Sequence, residues 1–237
     1  MKKVKCGIDV LKDNCDIIKG LNIGLITNHT GVDGNLKSTI DIVNEMGNLK
    51  CLFSPEHGVR GNFQAGVHVS DYVDDRTGVT VYSLYGDTKM PTEQMLKDID
   101  IILFDMQDVG ARYYTYLYTM AYAMQAAKKF DKKFIVLDRP NPIGGTQVEG
   151  NTLDTEFSSF VGMYPIPVRY GLTIGELAAL LNKEFDINCD LEVIKIENWE
   201  REMYYDNTFL NFIAPSPNIH TVDSAIFYVG PCLFEGT

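Results

Sequence analysis

The chain has 237 residues, 45% hydrophobic and 22% charged, the profile of a globular protein rather than a disordered one. Its 21 basic and 32 acidic residues leave a net charge of −11, which argues against a broad footprint for nucleic acid or anionic membrane. No run of about 18 apolar residues appears, so no membrane span is expected, and the basic start meets Asp9, Lys12 and Asp13 instead of an apolar signal core, which makes a cytoplasmic location the expectation.

Along the chain, apolar runs alternate with helical patterns. Residues 22–27 read as a buried strand. Residues 38–46 follow as a helix, with Ser38 as N-cap and Gly47 as its stop. Residues 49–53 and 79–83 are the next strands, and residues 91–97 form a short helix with Pro91 in its first turn. Residues 99–104 make the clearest buried strand, 114–130 the longest helix, and 134–137 a further strand. Continuous apolar strands separated by helices predict a doubly wound, mostly parallel α/β sheet with helices on both faces, over residues 1–150. Residues 151–237 read as a continuation: a helix at 173–185 with a Thr173/Glu176 capping box, a strand at 191–196, a rigid loop at 214–218 and a short helix at 222–228.

In such sheets, ligands bind beyond the carboxyl ends of the strands. Here those ends are polar. They run into Thr27-Asn28-His29-Thr30-Gly31, Ser54-Pro55-Glu56-His57-Gly58-Val59-Arg60-Gly61, Asp105-Met106-Gln107-Asp108-Val109-Gly110-Ala111-Arg112 and Asp138-Arg139-Pro140-Asn141-Pro142. Each candidate has a plainer alternative. Glu56 is either an aimed acid in a Pro- and Gly-bounded turn or a surface carboxylate, and His57 a site residue or a cap on a carbonyl. Asp105 and Asp108 contact substrate or cap the helix that begins near Tyr113. Arg139 binds substrate or pairs with one of these aspartates, and Glu149 lies beyond the last loop in either role. The tyrosines at 113, 114, 116, 118 and 122 are mostly core, with one or two free to stack on a sugar ring.

Several chemistries are excluded by their missing motifs. No GxGxxG follows the first strand, and no GxxxxGK[ST] or GxSxG exists. Cys6, Cys15, Cys51, Cys189 and Cys232 form no CxxC pair, so reduced thiols are expected rather than disulfides or a zinc knuckle. His29, His57 and His68 lack metal-ligand spacing; neither a metal nor a cofactor is expected. Carboxylate chemistry remains: a glycosidase sets one protonated and one ionised carboxyl group about the scissile bond.

The segments Gly7-Ile8-Asp9-Val10-Leu11, Gly24 to Gly31, Ser54-Pro55-Glu56-His57-Gly58, Asp105 to Gly110, Asp138-Arg139-Pro140-Asn141-Pro142, Val148-Glu149-Gly150 and Pro215-Ser216-Pro217-Asn218 together resemble the exo-β-N-acetylmuramidase family, in order and almost from end to end. The resemblance implies a Rossmann-like catalytic lobe joined to a smaller C-terminal lobe, with the site in the cleft between. It implies removal of N-acetylmuramic acid from the non-reducing end of peptidoglycan fragments. Glu56 becomes the leading catalytic carboxylate, His57 its neighbour and Glu149 the second acid. Asn28, Arg60, Asp105, Asp108, Arg112, Arg139, Asn141, Arg169 and Glu235 become candidate substrate contacts. The substrate's lactyl carboxylate calls for a cation, and Arg60, Arg112, Arg139 and Arg169 are the candidates. Family members are often exported. The alternative reading is a non-catalytic carbohydrate- or peptidoglycan-binding module. The chain stops at Thr237, after the apolar residues 226–234 and a Glu-Gly-Thr stretch that in the family leads toward the second lobe. That lobe is expected to be largely missing here, with part of the apolar stretch exposed and the chain prone to self-association.

Overall fold

In the computed structural model, residues 2–55, 58–60, 71–86 and 88–234 are described. Seven strands form one sheet: β1 (Asn22–Thr27), β2 (Asn48–Ser54), β3 (Tyr72–Val73), β4 (Thr80–Ser83), β5 (Ile101–Asp105), β6 (Lys133–Leu137) and β7 (Asp190–Ile194). Their order is β3-β4-β2-β1-β5-β6-β7. Every pairing is parallel except the antiparallel β3–β4 pair at one edge. From β1 the chain moves outward through β2 to β4. It then returns to β5, on the other side of β1, and moves out through β6 to β7. The winding therefore reverses between β1 and β5, and at such a switch point the two exit loops diverge and leave a crevice.

The α-helices among the described residues are α1 (Gly7–Asp13), α2 (Thr39–Met46), α3 (Glu93–Leu96), α4 (Tyr116–Lys129), α5 (Ile174–Glu184) and α6 (Val222–Tyr228). Side chains alternate across each strand, so the sheet has two apolar faces. Ile23, Leu25, Ile101, Leu103, Ile135 and Leu137 pack with Ile8 and Leu11 of α1 and with Ile40 and Val43 of α2. Ile26, Phe53, Ile102, Phe104 and Val136 face the other way, against Leu117, Met120 and Met124 of α4 and Leu177 and Leu181 of α5.

The expected elements are present, with ends shifted by a residue or two. Ser38 caps α2, and Gly47 ends it. Thr173 and Glu176 form the expected capping box on α5. Two elements were not anticipated. Strand β3 is only two residues long. Helix α1 is too polar for a clear apolar stripe, and it packs by close approach: a Cβ on Gly7 would lie 2.4 Å from the Asp138 nitrogen. The sheet also extends past residue 150, since β7 pairs with β6 along its whole length. In the 226–234 stretch, Ile226, Phe227, Leu233 and Phe234 are exposed, as expected. No helix of the described residues is long and apolar enough to cross a membrane.

Candidate active site

The polar loops predicted after β1, β5 and β6 share the carboxyl edge of the sheet and are tied to one another. Thr27 Oγ1 donates to the Asp105 carbonyl at 2.7 Å. Thr30 Oγ1 accepts from the Gln107 amide at 2.9 Å and donates to Asn28 Oδ1 at 2.6 Å, so one hydroxyl joins the first loop to the second. Gln107 Nε2 donates to the Pro140 carbonyl at 2.9 Å, joining the second loop to the third.

Asp105 and Arg139 form a fully buried pair. Arg139 Nε and Nη2 reach the two carboxylate oxygens at 2.5 and 2.9 Å, Nη2 also donates to the Val32 carbonyl, and Thr39 Oγ1 donates to the same carboxylate. Burial opposes the Arg139 charge, but the Asp105 carboxylate outweighs it and holds the guanidinium above the ordinary arginine value. Of the two readings of Asp105 and Asp108, capping of the next helix is not met: α4 has Thr115 at its N-cap. Asp108 Oδ2 instead accepts from the Gly110 amide at 2.8 Å and from the Tyr170 hydroxyl. Gly110, at φ +84°, makes the turn that aims this amide, and a Cβ there would meet Asn141 Oδ1 at 2.4 Å. Burial pushes the Asp108 carboxyl up to about 6, against the hydrogen bonds from Tyr170 and Gly110. Burial likewise raises Asp138 to about 6, although it accepts from Gly175 N, Thr173 Oγ1 and Arg139 N and so ties the β6 loop to the start of α5.

The other candidates divide by location. Asn141 is buried, donating to the Leu172 carbonyl and accepting from the Ile143 amide. Arg112 Nη1 donates to the carbonyls of Asn151 and Ile166 at 2.7 and 2.6 Å. Arg60 lies away from these loops, in ion pairs with Asp74 at 2.6 Å and Asp41 at 3.3 Å. Its hydrogen bonds hold the Asp74 carboxyl down at about 2. Glu149 and Arg169 pair their backbones at 2.9–3.0 Å and their side chains at 2.7 Å. Arg169 also donates to the Ile143 carbonyl and the Tyr204 hydroxyl. The Arg112 amide donates to the Val168 carbonyl at 2.7 Å, which brings Glu149 beside the β5 loop. Glu149 and Arg169 line a pocket of about 340 Å³ whose opposite wall is apolar, with Ile226, Phe227, Val229 and Pro231. Glu56, His57 and Glu235 lie outside the described residues.

Residues 23–223 match the family model for the N-terminal part of the exo-β-N-acetylmuramidase NamZ. The chain belongs to this family. It is 57% identical, over 99% of its length, to the peptidoglycan β-N-acetylmuramidase NamZ of Bacillus subtilis, and spans 58% of that relative. Two crystal structures of DUF1343 family proteins from Bacteroides fragilis share the fold. One is 49% identical with a TM-score of 0.92 over 98% of this chain; the other is 38% identical with a TM-score of 0.86 over the whole of this chain. The chain covers 60% and 63% of those two proteins.

Sequence reasoning placed the NamZ-family loops at the sheet edge and missed some of what fills them. His29 and Gln107 were visible in the loop motifs but were not singled out as site residues. Tyr170 and Tyr204 carried no signal, because their roles depend on partners 62 and 35 positions away. Five side-chain atoms on the β1 and β5 exit loops are buried without a protein partner among the described residues: Asn28 Nδ2, His29 Nδ1, Gln107 Oε1, Asp108 Oδ1 and Arg112 Nε. A buried polar atom left without any partner costs about 1–3 kcal/mol, and five on two adjacent loops make this edge the candidate binding surface.

Proposed function

We propose that this chain carries the catalytic lobe of a glycosidase that releases N-acetylmuramic acid from the non-reducing end of peptidoglycan fragments. What supports the reading is the 57% identity to the Bacillus subtilis muramidase across 99% of the chain. Because the chain spans 58% of that relative, the activity of the whole protein is part of the proposal.

In this reading Glu56, two residues beyond the end of β2, donates a proton to the departing glycosidic oxygen, with His57 beside it. Glu149 is the second carboxylate and assists attack at the anomeric carbon. The C1–O bond breaks, water supplies the new C1–O bond, and its remaining proton restores the acid. We assign the lactyl carboxylate to Arg112. In its favour, Arg60, Arg139 and Arg169 already have carboxylate partners, whereas Arg112 has none among the described residues. Asp105, Arg139 and Asn141 then position the loops, since their hydrogen-bonding groups are taken up by protein.

The test is to offer a chromogenic N-acetylmuraminide and the matching N-acetylglucosaminide to the chain, and to the chain extended to the length of its curated relative. The proposal expects turnover of the muraminide alone. Binding without turnover in both forms would make the protein a peptidoglycan-binding module instead.

A further inference from the structure

Four of these partnerless atoms, all within three residues of the ends of β1 and β5, sit where the winding of the sheet reverses. Their chemistry is fixed by what the rest of each side chain does. Asn28 Oδ1 accepts from both the amide and the hydroxyl of Thr30, at 2.9 and 2.6 Å, so its open end is the NH2 donor. Gln107 Nε2 donates to the carbonyls of Asp108 and Pro140, so its open end is the acceptor Oε1. His29 Nε2 lies 2.7 Å from the Ala214 carbonyl, which accepts only, so Nε2 carries the proton and Nδ1 of the neutral imidazole is an acceptor. The Ala214 loop is itself held: Tyr116 Oη, at the start of α4, donates to the Pro215 carbonyl at 2.8 Å. Asp108 Oδ1 adds a third acceptor. These four atoms therefore offer one donor beside three acceptors, while Arg112 Nε, farther along the β5 loop, is a further buried donor without a partner among the described residues.

The four atoms suit a neutral group with one carbonyl and one N–H, and leave the carboxylate to Arg112. Resting on the muramidase reading, we propose that the β1 and β5 exits hold the acetamido group of the sugar. Asn28 Nδ2 donates to the acyl oxygen and His29 Nδ1 accepts the acetamido N–H. Gln107 Oε1 and Asp108 Oδ1 form an electronegative wall that takes a ring hydroxyl and turns the lactyl carboxylate away. These residues are thus determinants of specificity for N-acetylated over free-amine sugars.

The experiment measures binding of N-acetylmuramic acid and of muramic acid, whose amine is unacetylated, by NMR titration of the chain. The variants are Asn28→Asp and His29→Gln. Asn28→Asp keeps the oxygen that Thr30 requires and replaces only the open donor. His29→Gln keeps a donor for Ala214 and loses the ring nitrogen Nδ1. Wild type is expected to prefer N-acetylmuramic acid by about tenfold or more, the worth of one well-placed hydrogen bond. Asn28→Asp should abolish or invert that preference, because a carboxylate oxygen repels the acyl oxygen and attracts an ammonium. His29→Gln should weaken binding of the acetylated sugar alone. A wild type that binds both sugars equally, or variants that keep its preference, would overturn this assignment and leave the muramidase reading standing. A wild type that binds neither sugar would overturn the muramidase reading, and this assignment with it.

Discussion

At the scale of single residues, Asp108 shows how burial sets charge. Its carboxyl is pushed up to about 6 from an ordinary value of 3.8. The fold thus favours the neutral form, and the stability this contributes is complete below about pH 3.8 and lost as pH rises through about 6. Asp108→Asn keeps an oxygen for Tyr170 and Gly110 and removes the titration. It is expected to make the chain more stable than wild type at pH 7 by roughly 2–3 kcal/mol, with the gap closing toward pH 4. Urea melts at both pH values check this; a constant gap would contradict it. The Asp105–Arg139 pair makes the opposite case. Asp105→Asn leaves a guanidinium that is 3% exposed without its counter-charge, and a loss of about 3–5 kcal/mol is expected in the same melts. A loss below about 1 kcal/mol would show that the Val32 carbonyl and other neighbours suffice to hold Arg139.

At the scale of elements, much of the fold could be read locally. β1 and α6 fall where the apolar run and the helical pattern place them, and the caps of α2 and α5 are explicit in Ser38 and Thr173. Thr173→Ala removes the α5 cap and the hydroxyl that donates to Asp138, and is expected to cost about 1–2 kcal/mol in a thermal or urea melt; no measurable change would mean the helix start is held by packing alone. α1 and β3 escaped notice for a shared reason, that each exists through a tertiary neighbour. α1 depends on the close approach of Gly7 to Asp138, and β3 on pairing with β4. The site follows the same rule. Which loops gather at the sheet edge is set by strand order, which alternating apolar runs reveal. Which side chains meet there is read less well: that Arg139 pairs with an aspartate is one of its two readings in the sequence and is what the structure shows, whereas Arg169 reaches Glu149 across 20 positions and no periodicity encodes that pair.

At the scale of the whole molecule, the sheet divides its work. Two apolar faces pack the helices and keep the strands rigid, while the carboxyl edge gathers polar loops about the reversal between β1 and β5. Ion pairs and caps at Asp105, Asp138 and Arg139 fix the backbone of those loops, and the open atoms of Asn28, His29, Gln107 and Asp108 lie on them. The proposed chemistry needs a proton donor added to this frame, and Glu56 is assigned that role from the segment that follows β2. General acid–base catalysis contributes about 10²–10⁴-fold to a rate, and Glu56→Gln is nearly isosteric. The most direct measurement is therefore kcat for N-acetylmuraminide hydrolysis by the active enzyme and by its Glu56→Gln variant, with thermal melts of both. The expected result is a fall of at least about 10²-fold with an unchanged melting temperature; turnover by the variant near that of wild type would contradict the assignment of Glu56 as the catalytic acid.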